Sequence, residues 1–170
     1  MRLSRPAQWV LLIAAFVLVA VAVHAWQTRD LLPADRREPA PTLDLVDLDG
    51  ARWTSAQLKG RPAVVYFFAP WCSVCAASAS QLRVFHRWRG DDVQVLLVGL
   101  DANDVDELRR YANRHRIELP VLIGHPTTGA EWRVPGYPTY YVLDAAGRVA
   151  RRDFGLSTAP GLFMRTLWLD

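Results

Sequence analysis

The chain holds two cysteines, Cys72 and Cys75, with two residues between them. What surrounds this pair limits the fold more than any other feature. It follows Ala63–Phe68 (Ala-Val-Val-Tyr-Phe-Phe), a continuous apolar run rich in β-branched and aromatic residues. Such a run reads as a central strand covered on both faces. Ala69-Pro70 then breaks the strand. From Cys72 to Arg89 the pattern turns helical, with Val74, Leu82, Phe85 and Trp88 able to share an inward face and Gly90 as the stop. The pair therefore stands where a buried strand hands over to a helix. A thiol at a helix N-terminus lies near the positive end of the macrodipole and near free backbone N–H groups, which favour the thiolate. The thiolate is the attacking species in disulfide exchange. Cys72 comes first on the helix and is expected to be the more exposed, so it is assigned as nucleophile. Cys75, a turn further in, is assigned as the resolving thiol.

Arg2 and Arg5 precede an apolar run from Trp9 to Val23, which extends to Trp26 if His24 is tolerated. A membrane-spanning helix needs about 20 apolar residues, with a range of roughly 17–25. Residues 9–26 are therefore read as a transmembrane anchor, with Trp9 and Trp26 at its two interfaces. A signal with a cleavage site at Val23-His24-Ala25 is the alternative. Both readings leave residues 1–8 in the cytoplasm and export everything after residue 26. Residues 27–41, with Pro33, Pro39 and Pro41, are expected to form a solvated linker reaching at most about 50 Å. In an exported protein a single pair of cysteines is expected to form one disulfide.

Charge excludes one large class of partners. Residues 1–40 carry five Arg against three acids, and the rest carries fifteen basic against fourteen acidic residues. The domain is close to neutral and shows no basic stripe with interleaved aromatics, so no nucleic acid is expected.

Residues 42–170 read as one α/β domain. Thr42–Leu48 alternates into the turn Asp49-Gly50, Arg52–Thr54 is extended, and Thr54-Ser55 caps a helical turn to Leu58. Val93–Leu100 is a second buried strand. Asn103 or Asp104 caps a helix to about His115, with Val105, Leu108 and Tyr111 or Ala112 inward. Pro120–Ile123 is a short strand. Tyr140–Leu143 and Arg148–Arg152 flank a hairpin at Asp144-Ala145-Ala146-Gly147, and Pro160–Leu169 closes the chain as a helix. Buried strands joined through helices predict a central mixed sheet with helices on both faces.

Two other uses of the pair are weak. A zinc site needs four ligands, and there is no second Cys pair and no metal-ligand spacing among His24, His86, His115 and His125. A purely structural disulfide closing so small a loop constrains little of the unfolded chain.

Ala69-Pro70-Trp71-Cys72-Ser73-Val74-Cys75, after Val-Val-Tyr-Phe-Phe, resembles the active-site segment of the thioredoxin superfamily. Leu48-Asp49-Gly50 and Leu58-Lys59-Gly60-Arg61-Pro62 are similar to its membrane-tethered TlpA/ResA/DsbE-type branch, closest to ScsD-like and mycobacterial DsbE-like protein disulfide oxidoreductases. The resemblance runs from about Pro41 to the C-terminus and implies a thioredoxin-like fold. Val134-Pro135-Gly136-Tyr137-Pro138-Thr139 matches the family's second landmark. It implies that Pro138 is a cis-proline facing the disulfide and that Tyr137 offers backbone to a substrate. Trp71 is a candidate lid over the pair, and Gly136 a site of close backbone packing.

The resemblance implies a periplasmic thiol–disulfide oxidoreductase that exchanges the Cys72–Cys75 disulfide with protein thiols and needs no other cofactor and no metal. It implies residence at a bacterial inner membrane and a polytopic electron donor of the DsbD type. Two positions depart from the family pattern. Thioredoxins keep a buried Asp where this chain has Tyr66, and ResA-like reductases keep a Glu where it has Ser78. Proton transfer then falls to water, Tyr66 or Ser78, and a role as cytochrome c maturation reductase becomes an alternative. A rival of another class is a Cu(I)-binding module, since two thiolates suit a soft ion. Copper chaperones of this fold use a wider Cys spacing and a later His. A peroxiredoxin is disfavoured because no Cys lies in a Thr/Pro peroxidatic segment.

Overall fold

In the computed structural model the described residues are 5–34 and 38–169, with side chains from residue 8 onward. Residues 1–4 of the expected cytoplasmic segment 1–8 lie outside them. The chain divides into two units, one up to Asp30 and one from Leu31. The first is a single helix, α1 (Arg5–Thr28). Its stretch Gln8–Thr28 is 21 residues, long and apolar enough to cross a membrane.

The second unit is built on a five-stranded sheet. Its strands are β3 (Ala63–Phe68), β4 (Gln94–Gly99), β5 (Val121–Ile123), β6 (Thr139–Leu143) and β7 (Val149–Phe154). The order is β5-β4-β3-β6-β7, with β3, β4 and β5 parallel and β6 and β7 antiparallel. The short strands β1 (Asp44–Val46) and β2 (Arg52–Thr54) pair separately. Every residue of β3 is buried, because the strand is central and both its faces are covered.

The period-two alternation of β3 sorts the core into two layers. Val64, Tyr66 and Phe68 face one cluster, and Ala63, Val65 and Phe67 the other. The first layer is closed by α2 (Ser73–Arg89), α3 (Val105–Arg114) and α5 (Ala159–Thr166), which contribute Leu82 and Phe85, Leu108 and Tyr111, and Ala159 and Leu162. The second layer lies under Leu45 of β1, Leu58 and Trp132, the last at the end of α4 (Pro126–Glu131). The fold is thioredoxin-like, with a mixed sheet between helices. Short strand–helix connections place the C-terminal end of β3 beside the N-terminus of α2, and that is where the Cys pair lies.

The hairpin between β6 and β7 forms as its residues predict. Asp144 accepts from the backbone N–H of Ala146 and Arg148, both at 3.0 Å, and from Arg148 Nε at 2.9 Å. Gly147 takes a φ of 76°, which a residue without Cβ adopts at no steric cost.

Four expectations are corrected. Val74 (44% exposed) and Trp88 (55%) face outward on α2, and Val105 is exposed on α3. The apolar stripes are narrower than the periodicity implied, because Leu82 and Phe85 fill the space under α2. The helix α4 was not foreseen, since Pro-Thr-Thr-Gly-Ala-Glu has no apolar period. The stretch 27–41 is not a free linker throughout. Leu31 is fully buried among Leu43, Leu58 and Trp132. Arg152 donates to the carbonyls of Leu31 and Leu32 at 2.9 Å, and Ala40 N–H donates to Gly147. An apolar Leu-Leu pair with two carbonyl acceptors had more to gain on the domain than in water.

Candidate functional site

Cys72 and Cys75 form a disulfide. The breaker Ala69-Pro70 turns the chain out of β3, and Cys72 N–H closes this turn on the Ala69 carbonyl at 3.1 Å. Cys72 is the N-cap of α2, with extended backbone, and its Sγ accepts from the Cys75 N–H at 3.1 Å. The sulfur thus occupies the place of the usual capping oxygen and points at the free N–H groups of the first turn. After reduction, those same groups and the helix dipole stabilise a Cys72 thiolate. Exposure separates the two sulfurs: Cys72 is 8% exposed and Cys75 is fully buried.

Two aromatic residues flank the pair. Trp71 is 63% exposed and meets Tyr137 edge to face, with ring centroids 5.8 Å apart. This contact brings the Cys segment and the loop before β6 together. The Tyr137–Pro138 peptide is cis. Thr139 Oγ1 donates to the Gly136 carbonyl at 2.8 Å, and Gly155 N–H donates to the Pro138 carbonyl at 2.9 Å. A Cβ at Gly136 would stand 3.3 Å from the Phe154 ring, so what packs against this glycine is a side chain and not backbone. Burial, and then the negative charge of Asp101, push the Tyr137 phenol up from its ordinary value. Asp101 itself sits in the left-handed region, φ 56°, just after β4. The sequence reading missed it; a short polar side chain that tolerates this conformation is the only signal it offers.

Beneath the disulfide lie Tyr66 and Ser78. The Tyr66 hydroxyl donates to the Cys75 carbonyl at 3.2 Å, and Ser78 Oγ donates to the Val74 carbonyl at 3.0 Å. Both side chains are fully buried. Burial, with the neighbouring Tyr140 and Tyr111 phenols, drives the Tyr66 phenol far above its usual range, so it stays protonated. His125 precedes α4 as its N-cap, and His115 lies against Tyr111 with ring centroids 4.5 Å apart. Burial, then Arg114 and Arg83, lower its pKa. Among the described residues no three His, Cys, Asp or Glu are grouped to hold a metal.

The sequence profile of the AhpC/TSA family matches residues 37–152. The chain belongs to the AhpC/TSA family. The chain is 26% identical over 123 residues to the thioredoxin-like protein YneN of Bacillus subtilis, covering 71% of this chain and 72% of that one. It is 24% identical over 122 residues to the thiol–disulfide oxidoreductase ResA of Bacillus thuringiensis, covering 70% and 69%. Among solved structures, a thiol:disulfide interchange protein of Chlorobium tepidum superposes with a TM-score of 0.70 at 25% identity, over 79% of this chain and 97% of that one. What the arrangement offers chemically is a two-electron couple, a disulfide reduced to two thiols, held by one slightly exposed and one fully buried residue.

Proposed function

We propose that this protein is a thiol–disulfide oxidoreductase acting on protein thiols and disulfides in the periplasm. The observation that carries the reading is the asymmetry of the pair: Cys72 caps α2 and keeps 8% of its surface exposed, while Cys75 is fully enclosed one turn inward. A partner sulfur reaches only Cys72. In the reducing direction, the Cys72 thiolate attacks a partner disulfide and a mixed disulfide forms. The Cys75 thiolate then attacks Cys72 Sγ, the partner leaves with both electrons, and the Cys72–Cys75 disulfide is restored. The oxidising direction runs the same steps in reverse.

The surrounding residues take roles in the same reading. Trp71 and Tyr137 wall the approach to Cys72 from two loops. The exposed indole serves as a lid, and the backbone of Tyr137, set by Pro138, is offered to an extended partner segment. α1 anchors the chain in the bacterial inner membrane by one span, with the catalytic domain in the periplasm. Reduction of the pair is assigned to a membrane electron donor of the DsbD type, because no reductant resides in the pair itself. Similarity to the relatives named as thiol–disulfide oxidoreductases supports the reaction class.

The test uses single substitutions in the full chain. Cys72→Ser is expected to abolish turnover of a protein disulfide such as insulin. Cys75→Ser is expected to accumulate mixed disulfides visible on non-reducing gels. Full turnover by Cys75→Ser would refute the two-cysteine mechanism. Stoichiometric Cu(I) binding lost in either variant, without disulfide turnover in the parent, would replace this reading with the copper one.

A further inference from the structure

The first core layer, otherwise apolar, is crossed by one polar row. In the sheet register Tyr66 of β3 pairs with Tyr140 of β6, and Tyr140 pairs with Asp153 of β7. Directly paired residues of neighbouring strands project to the same face, with strands about 4.8 Å apart. The row therefore starts under Cys75 and reaches the sheet edge about 10 Å away. Ser78 of α2 opposes the upward shift of both the Tyr66 and the Tyr140 phenols, while its own Oγ donates to the Val74 carbonyl at 3.0 Å. At the outer end Asp153 pairs with Arg165 of α5 at 2.6 Å, and Arg165 also donates to Ser157 at 2.8 Å. Asp153 is buried, while the Arg165 side chain is about one-third exposed. Tyr111 of α3 approaches the row from the side.

Such a row is costly where it stands. A buried hydroxyl without a partner costs stability, and the hydroxyls of Tyr140 and Tyr111 are buried without a formed hydrogen bond. The chemistry of the neighbouring thiol supplies a use for it. Cys75 is fully buried, yet its proton must leave before it can attack Cys72.

Building on the reading above, we propose that Tyr66, Ser78, Tyr140 and Asp153 form a proton path from the Cys75 thiol to solvent beside Arg165. The Cys75 S–H bond breaks and its proton enters the hydroxyl row. Each hydroxyl accepts one proton while giving up its own, and the last passes to the Asp153 carboxylate and then to water. The electron pair left on Cys75 forms the bond to Cys72 Sγ, and the partner departs as a thiolate. Burial keeps both phenols neutral between turnovers, Tyr140 being pushed up to about 12 and Tyr66 higher still. The row therefore conducts a proton without storing charge. The groups of the row act on Cys75 and not on the partner, so they are positioning residues.

The experiment mixes the reduced full-length protein with an aromatic disulfide whose thiolate product is coloured. One thiolate is released when Cys72 attacks and a second when Cys75 resolves. Ser78→Ala, Tyr140→Phe and Asp153→Asn are each expected to slow the second release relative to the first by about tenfold or more. They are also expected to shift its pH profile upward, and Ser78→Thr, which keeps the hydroxyl, is expected to restore it. An unchanged ratio and pH profile in variants with parental circular dichroism would overturn the path while leaving the two-cysteine mechanism intact. Failure of the parent to give two releases would instead refute the oxidoreductase reading, and the path with it.

Discussion

At the residue scale, the protein spends polar side chains on turns as well as on its reacting sulfurs. Asp47 is the example outside the site. Its carboxylate accepts from the N–H groups of Asp49 and Ala51 and from the Trp53 indole, each at 2.9 Å. Burial raises its pKa, but the indole and the backbone donors outweigh that, and the net shift is downward. Asp144 is shifted downward in the same way, with burial opposed by Arg148 and Ala146. A carboxyl group whose pKa is lower in the folded state stabilises the fold above its unfolded value, about 4. That contribution is lost as pH falls through the folded value. Denaturant melts are thus expected to show stability falling below about pH 4, and Asp47→Ala to cost about 1–3 kcal/mol at neutral pH. A variant as stable as the parent from pH 3 to 7 would show that the turn at Asp49-Gly50 draws its stability from elsewhere.

At the scale of elements, what could be read from the sequence was what its composition and period overdetermine. Ala63–Phe68 forms a buried strand over its whole expected length, and α2 ends at Gly90 as its stop signal indicated. Thr54 stands at the N-cap of the turn to Leu58, its backbone N–H donating to Gln57 Oε1 at 2.6 Å. Local patterns were silent where long-range packing decides. Nothing in the sequence near Val74, Trp88 or Val105 says that a neighbour already fills the core beneath the helix. Nothing near Leu31 says that Arg152, 121 residues away, holds its carbonyl. The row from Tyr66 to Asp153 was hidden for the same reason: its members are neighbours only through strand register, and Tyr140 and Asp153 look locally like ordinary strand residues. Two measurements belong at this scale. Leu82→Ala, at a fully buried α2 position, is expected to cost about 2–5 kcal/mol in denaturant unfolding. Arg152→Ala is expected to raise amide exchange at Leu31 and Leu32 with little change in the sheet, and unaltered exchange there would show that Leu31 burial alone holds the segment.

At the scale of the whole molecule, a mixed sheet between helices delivers one accessible and one enclosed sulfur to the end of its central strand, and membership of the AhpC/TSA family fits that architecture. The direction of electron flow depends on how far the fold favours the thiols over the disulfide. The most direct test is to equilibrate the full-length protein with glutathione buffers and follow the state of the pair. The account predicts one two-electron transition between about −120 mV and −300 mV, absent in Cys72→Ser and in Cys75→Ser. A value near the upper end would mark a disulfide donor, and one at or below about −230 mV a reductant that relies on a membrane donor. A pair that shows no defined transition against glutathione would contradict the account.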